Sequence, residues 1–97
     1  MGFTVRFNYK PSFDRSFKKL KDKKRQRHIY EAIQTFEKCL FEEEPPSPGL
    51  GLKRLRSTIW EFRSTLSDRI LIFWKGDLII YGFTGSHDEI KQFLKDC

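Results

Sequence analysis

The chain is poor in the features that would tie it to several large functional classes. Among 97 residues there are two cysteines, Cys39 and Cys97, and two histidines, His28 and His87. Neither cysteine has a partner at metal-ligand spacing, so a zinc ribbon or a disulfide framework is not expected, and free thiols in a reducing compartment are the simplest account. No apolar run approaches the length of a membrane span, and the opening MGFTVRFNYK has no apolar core of a secretory signal. These absences lead to the expectation of a cytoplasmic protein with no membrane role. There is no P-loop, no GxGxxG, no HExxH and no nucleophile elbow. Hydrophobic residues make up only 38%.

What is present compensates. Ten Phe, three Tyr and two Trp each bury a large area, enough for one small folded domain over residues 1–97. The net charge is +6, unevenly distributed: residues 1–28 carry +8, 29–44 carry −4, 45–75 carry +4 and 76–97 carry −2. Two basic regions around an acidic one fit a polyanionic or acidic partner. A solvated surface is the plain alternative.

Periodicity gives the elements. Phe3, Val5, Phe7 and Tyr9 alternate with polar residues, the pattern of a strand. Pro11 and Ser12 open a helix in which Phe13, Phe17 and Leu20 form an apolar stripe. A second helix is expected from about Lys23 to Phe41, with Ile29, Ala32, Ile33, Phe36 and Leu40 on one side. It stops at the Glu42–Gly49 loop, where three prolines end it. The two helices form a hairpin packed on a sheet. A second strand covers Leu52–Leu55 and, after a kink, Ile59–Ser64. Arg69–Trp74 reads as a central strand, because Ile70 to Phe73 are continuously apolar. Lys75-Gly76-Asp77 is a hairpin turn and Leu78–Thr84 the last strand. Ser86 caps a final helix, with Glu89 completing a capping box and Ile90, Phe93 and Leu94 as its apolar face. The expected class is α+β, in the order β-α-α-β-β-β-α.

Several side chains fall where chemistry on a phosphate is possible. His87 sits in the first turn of the last helix, where an imidazole can act as general acid or base and where anions bind. A residue bonded only within its own turn is the equal alternative. Arg69 opens the central strand among core neighbours; it either clamps a phosphate or pairs with Asp68 or Glu61. Arg63 ends the preceding strand and offers a second guanidinium or a solvated charge. Lys53, Arg54 and Arg56 form a basic run suited to a nucleic-acid backbone, or to guarding a sheet edge. Trp60 and Phe93 are core residues or base-stacking platforms. The basic run from Lys18 to Arg27 has the charge to bind rRNA, or is a solvated face.

The order of elements, with PGLGLKRL, WEFR, a central strand opening DRILIFW and TGSHDEI before the last helix, resembles the RelE/ParE superfamily of toxin-antitoxin toxins. The TGSH segment is similar to the YafQ-like branch. The resemblance covers nearly the whole chain. It implies the RelE-like fold, a helical hairpin on a small, mainly antiparallel twisted sheet. It also implies a ribosome-dependent endoribonuclease that cuts mRNA in the A site by 2′-hydroxyl attack, with no metal or other cofactor. The partners it implies are the ribosome with its mRNA and a cognate antitoxin, the toxin being monomeric alone and part of a hetero-oligomer with that antitoxin. By position, Arg69 matches the catalytic arginine of RelE proper, Arg63 a basic strand residue of that group, and His87 and Asp68 a histidine and an aspartate of the YafQ-like branch. His87, Arg69 and Arg63 are thus the catalytic candidates. Lys53, Arg54 and Arg56, in the family's basic region, are the substrate-binding candidates together with Asp68 and with Phe93, which matches no family residue by position. Leu66 and Phe83 stand where the YafQ-like branch has a histidine and an arginine, and Phe93 has no hydroxyl. The ParE branch, which shares the fold and inhibits DNA gyrase, is the competing implication, as is an inactive relative that binds only RNA or an antitoxin.

Overall fold

The structure, a computed structural model, describes residues 5–96. A strand, β1 (Arg6–Tyr9), leads into helices α1 (Pro11–Lys19) and α2 (Lys23–Phe41). A short 3-10 turn (Pro48–Leu50) precedes four strands, β2 (Lys53–Arg56), β3 (Ile59–Arg63), β4 (Arg69–Lys75) and β5 (Leu78–Gly85). Helix α3 (His87–Lys95) closes the order. The sheet runs β1-β5-β4-β3-β2. β1 lies parallel to β5 and every other pairing is antiparallel. The helical hairpin, the mainly antiparallel sheet and the closing helix are those expected from the sequence. No helix among the described residues is long and apolar enough to cross a membrane.

Local chemistry accounts for the helix boundaries. Pro11 occupies the first turn of α1, where its missing N–H costs nothing. Asp22 caps α2 by accepting from the backbone N–H groups of Lys24 and Arg25 at 2.9 and 3.3 Å. The turn between the helices passes through Lys21 at φ 56°. The described part of the first strand starts at Arg6; Phe3, expected on one face with Val5, Phe7 and Tyr9, lies outside the described residues. Tyr9, read on the same face as Val5 and Phe7, is 46% exposed, because β1 is an edge strand.

The segment from Leu52 to Ser64 is two strands rather than one kinked strand. β2 and β3 form a tight hairpin in which Arg56 pairs with Ile59, with a bulge between Arg54 and Arg56. The turn is made by Ser57 and Thr58, with Ser57 at φ 43°. It lacks the Gly or Asn that normally marks such a turn, which is why alternation alone reads through it. Arg54 steadies it: its Nε donates to the Ser57 carbonyl at 2.9 Å.

Alternation along the central strands divides the interior in two. Ile70 and Ile72 of β4, Phe62 of β3 and Ile79 and Tyr81 of β5 are buried in one cluster with Phe13, Ile29, Ile33 and Phe36 of the helical hairpin. Phe36 stacks on Phe62 with centroids 4.7 Å apart. Leu71, between Ile70 and Ile72, faces the opposite side and is also fully buried. α3 covers that side, with Ile90 buried and Phe93 stacked on Phe83 at 4.6 Å. β4 is therefore covered on both faces, as its unbroken apolar run requires. Gly82 fits here because a Cβ would clash with the Phe73 ring.

Polar contacts also join the helical hairpin to the sheet: the Thr84 backbone N–H donates to Ser16 Oγ of α1 at 3.1 Å, and Glu37 of α2 meets Tyr81. The buried Tyr81 hydroxyl donates to Glu37 of α2 at 2.7 Å. Burial first, then this bond and the Glu37 charge, push the Tyr81 hydroxyl well above its ordinary value of 10.0. The folded state thus favours the protonated phenol. That contribution is complete below about pH 10, where an unfolded tyrosine is also protonated, and is lost as pH rises beyond it. Melting temperatures measured from pH 8 to 11.5 should fall steeply above pH 10 for the native chain. They should fall less steeply for Tyr81→Phe, and equal slopes would show that Tyr81 carries none of the alkaline loss.

Candidate active groove and nucleic-acid interface

The end of β5 and the start of α3 fix His87. Ser86 Oγ accepts from the Glu89 backbone N–H at 3.2 Å, and Glu89 Oε1 accepts from the Ser86 N–H at 2.8 Å. This is the expected capping box, and it needs glycine before it: a Cβ on Gly85 would stand 2.7 Å from Glu89 Oε1. The reciprocal cap leaves His87 as the first residue of α3, exposed to solvent. There it sits at the positive end of the helix dipole, a place that favours an anionic ligand.

His87 opens onto a groove of about 530 Å³ between α3 and the β2–β3 hairpin. Leu55 and Arg56 line one side, His87, Ile90 and Lys91 the other, and Glu61 of β3 also borders it. Glu61 is only 2% exposed. Its charge is met by Arg69, whose Nη1 donates to Glu61 Oε2 at 2.7 Å. Paired burial of this kind holds only while both charges are present. The Arg69 Nε–H is buried with no hydrogen-bond partner among the described residues.

The structure disperses the expected site residues. His87 and Arg56 share the groove, and Arg69 is tied to it through Glu61. Arg69 was expected to offer its guanidinium to a phosphate; the ion pair with Glu61 takes up part of it, since a buried carboxylate two residues along the neighbouring strand needs a cation. Arg63 is the cross-strand neighbour of Arg69 but is not part of the groove. Its guanidinium lies against Gly51, 3.3 Å from where a Cβ would stand, and it borders a small hollow with His28 and Glu31. Lys53 is exposed opposite Glu61 on the sheet edge, while Arg54 pairs across from Trp60 and borders a different hollow.

Asp68 lies away from the groove. It is 1% exposed, and both its oxygens are held by Arg25 of α2, at 2.6 Å from Nη2 and 2.9 Å from Nε. The hydrogen bond to Asp68, followed by its charge, raises the Arg25 guanidinium above its ordinary value. A carboxylate buried and held in this way is not available to a substrate; it clamps α2 to the start of β4. Phe93 is half-buried on Phe83 and borders a broad cleft with Arg15, Lys18, Lys19 and Arg25. This cleft sets the basic helix run beside an aromatic, as a nucleic-acid surface would.

Arg25 was not singled out, and Glu61 was named only as an alternative ion-pair partner of Arg69. Glu61 is one polar position in an alternating strand, and its burial depends on α3, thirty residues further on. Arg25 is one of ten cations before residue 29, and nothing local distinguishes the one that meets Asp68.

No family model matches the chain, and no curated protein matches it in sequence. Solved structures do match. A copper-bound mutant toxin from Helicobacter pylori is 24% identical, with 90% of this chain and 99% of that one aligned and a TM-score of 0.69. YafQ in the E. coli DinJ–YafQ toxin-antitoxin complex is 10% identical, with 91% and 98% covered and a TM-score of 0.71. The YoeB dimer from Staphylococcus aureus is 15% identical, with 88% and 99% covered and a TM-score of 0.61. At such identities the likeness establishes the fold. The chain shares the architecture of these toxins over the 88–91% of its length that aligns, as the resemblance to the RelE/ParE superfamily implied.

Proposed function

We propose that this protein is the toxin of a toxin-antitoxin pair and acts as an endoribonuclease on mRNA held by the ribosome. The observation that carries the reading is the exposed His87 imidazole, fixed at a helix N-terminus across a groove from Arg56, with the Glu61–Arg69 pair at its border. The toxin fold raises the prior for this chemistry without assigning it.

The reaction needs no group beyond these side chains. The ribose 2′-oxygen loses its proton to a base and attacks the adjacent phosphorus. The bond to the 5′-oxygen of the next nucleotide breaks, and that oxygen takes up a proton. His87, an imidazole exposed at the groove, has the chemistry for one of these transfers. Negative charge grows on the phosphoryl oxygens as the new bond forms. Arg56, the N-terminus of α3 and the unfilled donors of Arg69 supply compensating positive charge. The basic residues of β2 and of the α1–α2 turn hold the polyanion without reading its sequence. Toxins of the same fold crystallise with an antitoxin, as in DinJ–YafQ, which supports a partner of that kind here.

The end groups of the products test this mechanism. With ribosomes translating a defined message, the upstream fragment should carry a 2′,3′-cyclic phosphate and the downstream fragment a 5′-hydroxyl. Fragments with 5′-phosphates would overturn the 2′-hydroxyl route. An intact message combined with inhibition of DNA gyrase would favour the ParE-like alternative.

A further inference from the structure

Both tryptophans of the chain stand together on the sheet face turned away from α3. Trp60 of β3 and Trp74 of β4 are half-buried, their ring centroids 5.5 Å apart and their planes inclined at 54°. They line an open hollow of about 840 Å³, with Pro46 and Pro48 of the long loop and Arg54 of β2 also bordering it. The cleavage chemistry in the His87 groove uses none of these groups. Arg54 is the cross-strand partner of Trp60, so the two side chains leave the sheet on the same side. The bond from its Nε to the Ser57 carbonyl anchors the guanidinium. Among the described residues no carboxylate pairs with it, and it is exposed.

Aromatic faces beside an anchored, unpaired guanidinium suit a nucleotide: the base stacks and the phosphate meets the cation. An apolar peptide would use the rings but not the charge. Position favours a strand of nucleic acid further. β2 is the outermost strand of the sheet, and it separates the two concavities. Arg56 borders the groove of His87 and Arg54 the tryptophan hollow. A polyanion leaving the groove over this edge meets three cations within four residues, Lys53, Arg54 and Arg56.

We propose that the Trp60–Trp74 hollow is a nucleotide subsite, which stacks one unpaired base of the RNA strand lying in the His87 groove and holds its phosphate on Arg54. The inference rests on the ribonuclease reading and adds to it a contact remote from the scissile bond.

Because the chain has only these two tryptophans, its intrinsic fluorescence reads the hollow directly. The experiment titrates the His87→Ala protein, which leaves RNA uncut, with a short single-stranded RNA of mixed sequence at low salt. Anisotropy of a labelled copy reports binding anywhere on the protein, and tryptophan emission with an unlabelled copy reports the hollow. Emission should fall by about a third or more, over the same concentrations at which anisotropy rises. Arg54→Glu should weaken binding about tenfold. Lys38→Glu, an equal charge change on exposed α2, should weaken it far less. Trp74→Phe, which keeps an aromatic ring and the packing on Phe36, should bind within about twofold of the parent, and Trp74→Leu about fivefold more weakly. A rise in anisotropy with unchanged tryptophan emission, or equal losses for Arg54→Glu and Lys38→Glu, would overturn the subsite while leaving RNA binding in place. No rise in anisotropy would overturn RNA binding by the free protein and the subsite with it.

Discussion

Arg69→Ala should destabilise the fold by about 3 kcal/mol, lowering the melting temperature by roughly 12–24 °C for a domain of this size. The reason lies in Glu61. That carboxylate is 2% exposed, and Arg69 is its ion-pair partner. Removing the arginine leaves a buried charge uncompensated, which costs more than the pair itself contributes. Replacing both members tests the explanation. Glu61→Leu combined with Arg69→Met should recover most of the lost stability, because a packed apolar pair avoids the desolvation of two ions. If the double variant is as unstable as the sum of the single ones, the buried charge is not the cause. Arg25→Ala should act in the same direction through Asp68. Its effect should be smaller, since Arg25 is 42% exposed and water already screens that pair. Loss of activity in Arg69→Ala therefore has to be measured well below its own melting temperature before it speaks to catalysis.

His87→Ala should show the opposite profile, a large loss of activity with little loss of stability. The imidazole is exposed, and the capping box that starts α3 is made by Ser86 and Glu89. Truncation at His87 therefore leaves the helix start intact. A positioned general acid or base contributes on the order of a hundred- to ten-thousand-fold, and the cleavage rate should fall by that much at an unchanged melting temperature. A fall of less than about tenfold would remove His87 from the proton transfers and leave the groove with charge stabilisation only.

The two kinds of residue differ in how far the sequence reveals them. The stop of α2 was legible because it is written locally, in the Pro45–Pro46 run; its start at Lys23 was also read, but without Asp22 as the cap that the structure shows. The capping box at Ser86 and Glu89 was legible for the same reason, and it carries His87 into place. The β2–β3 hairpin was not, because its turn uses Ser57 at positive φ in place of glycine or asparagine. The pairings Arg25–Asp68 and Arg69–Glu61 were open for a different reason. Each joins side chains from separate elements, and the basic segments hold many equivalent cations. The sequence left Arg69 between a phosphate clamp and an ion pair; the geometry shows the pair. It showed a run of three cations at Lys53, Arg54 and Arg56, but alternation alone would put Arg54 and Arg56 on one face; the bulge between them in the folded hairpin sends them to different hollows.

The most direct test of the account is primer extension on a defined mRNA translated by purified ribosomes, comparing the native protein with His87→Ala at a temperature where both are folded. The account predicts stops inside the reading frame with the native protein and their loss, or a slowing of at least a hundredfold, with His87→Ala. An intact message with the folded native protein would contradict it.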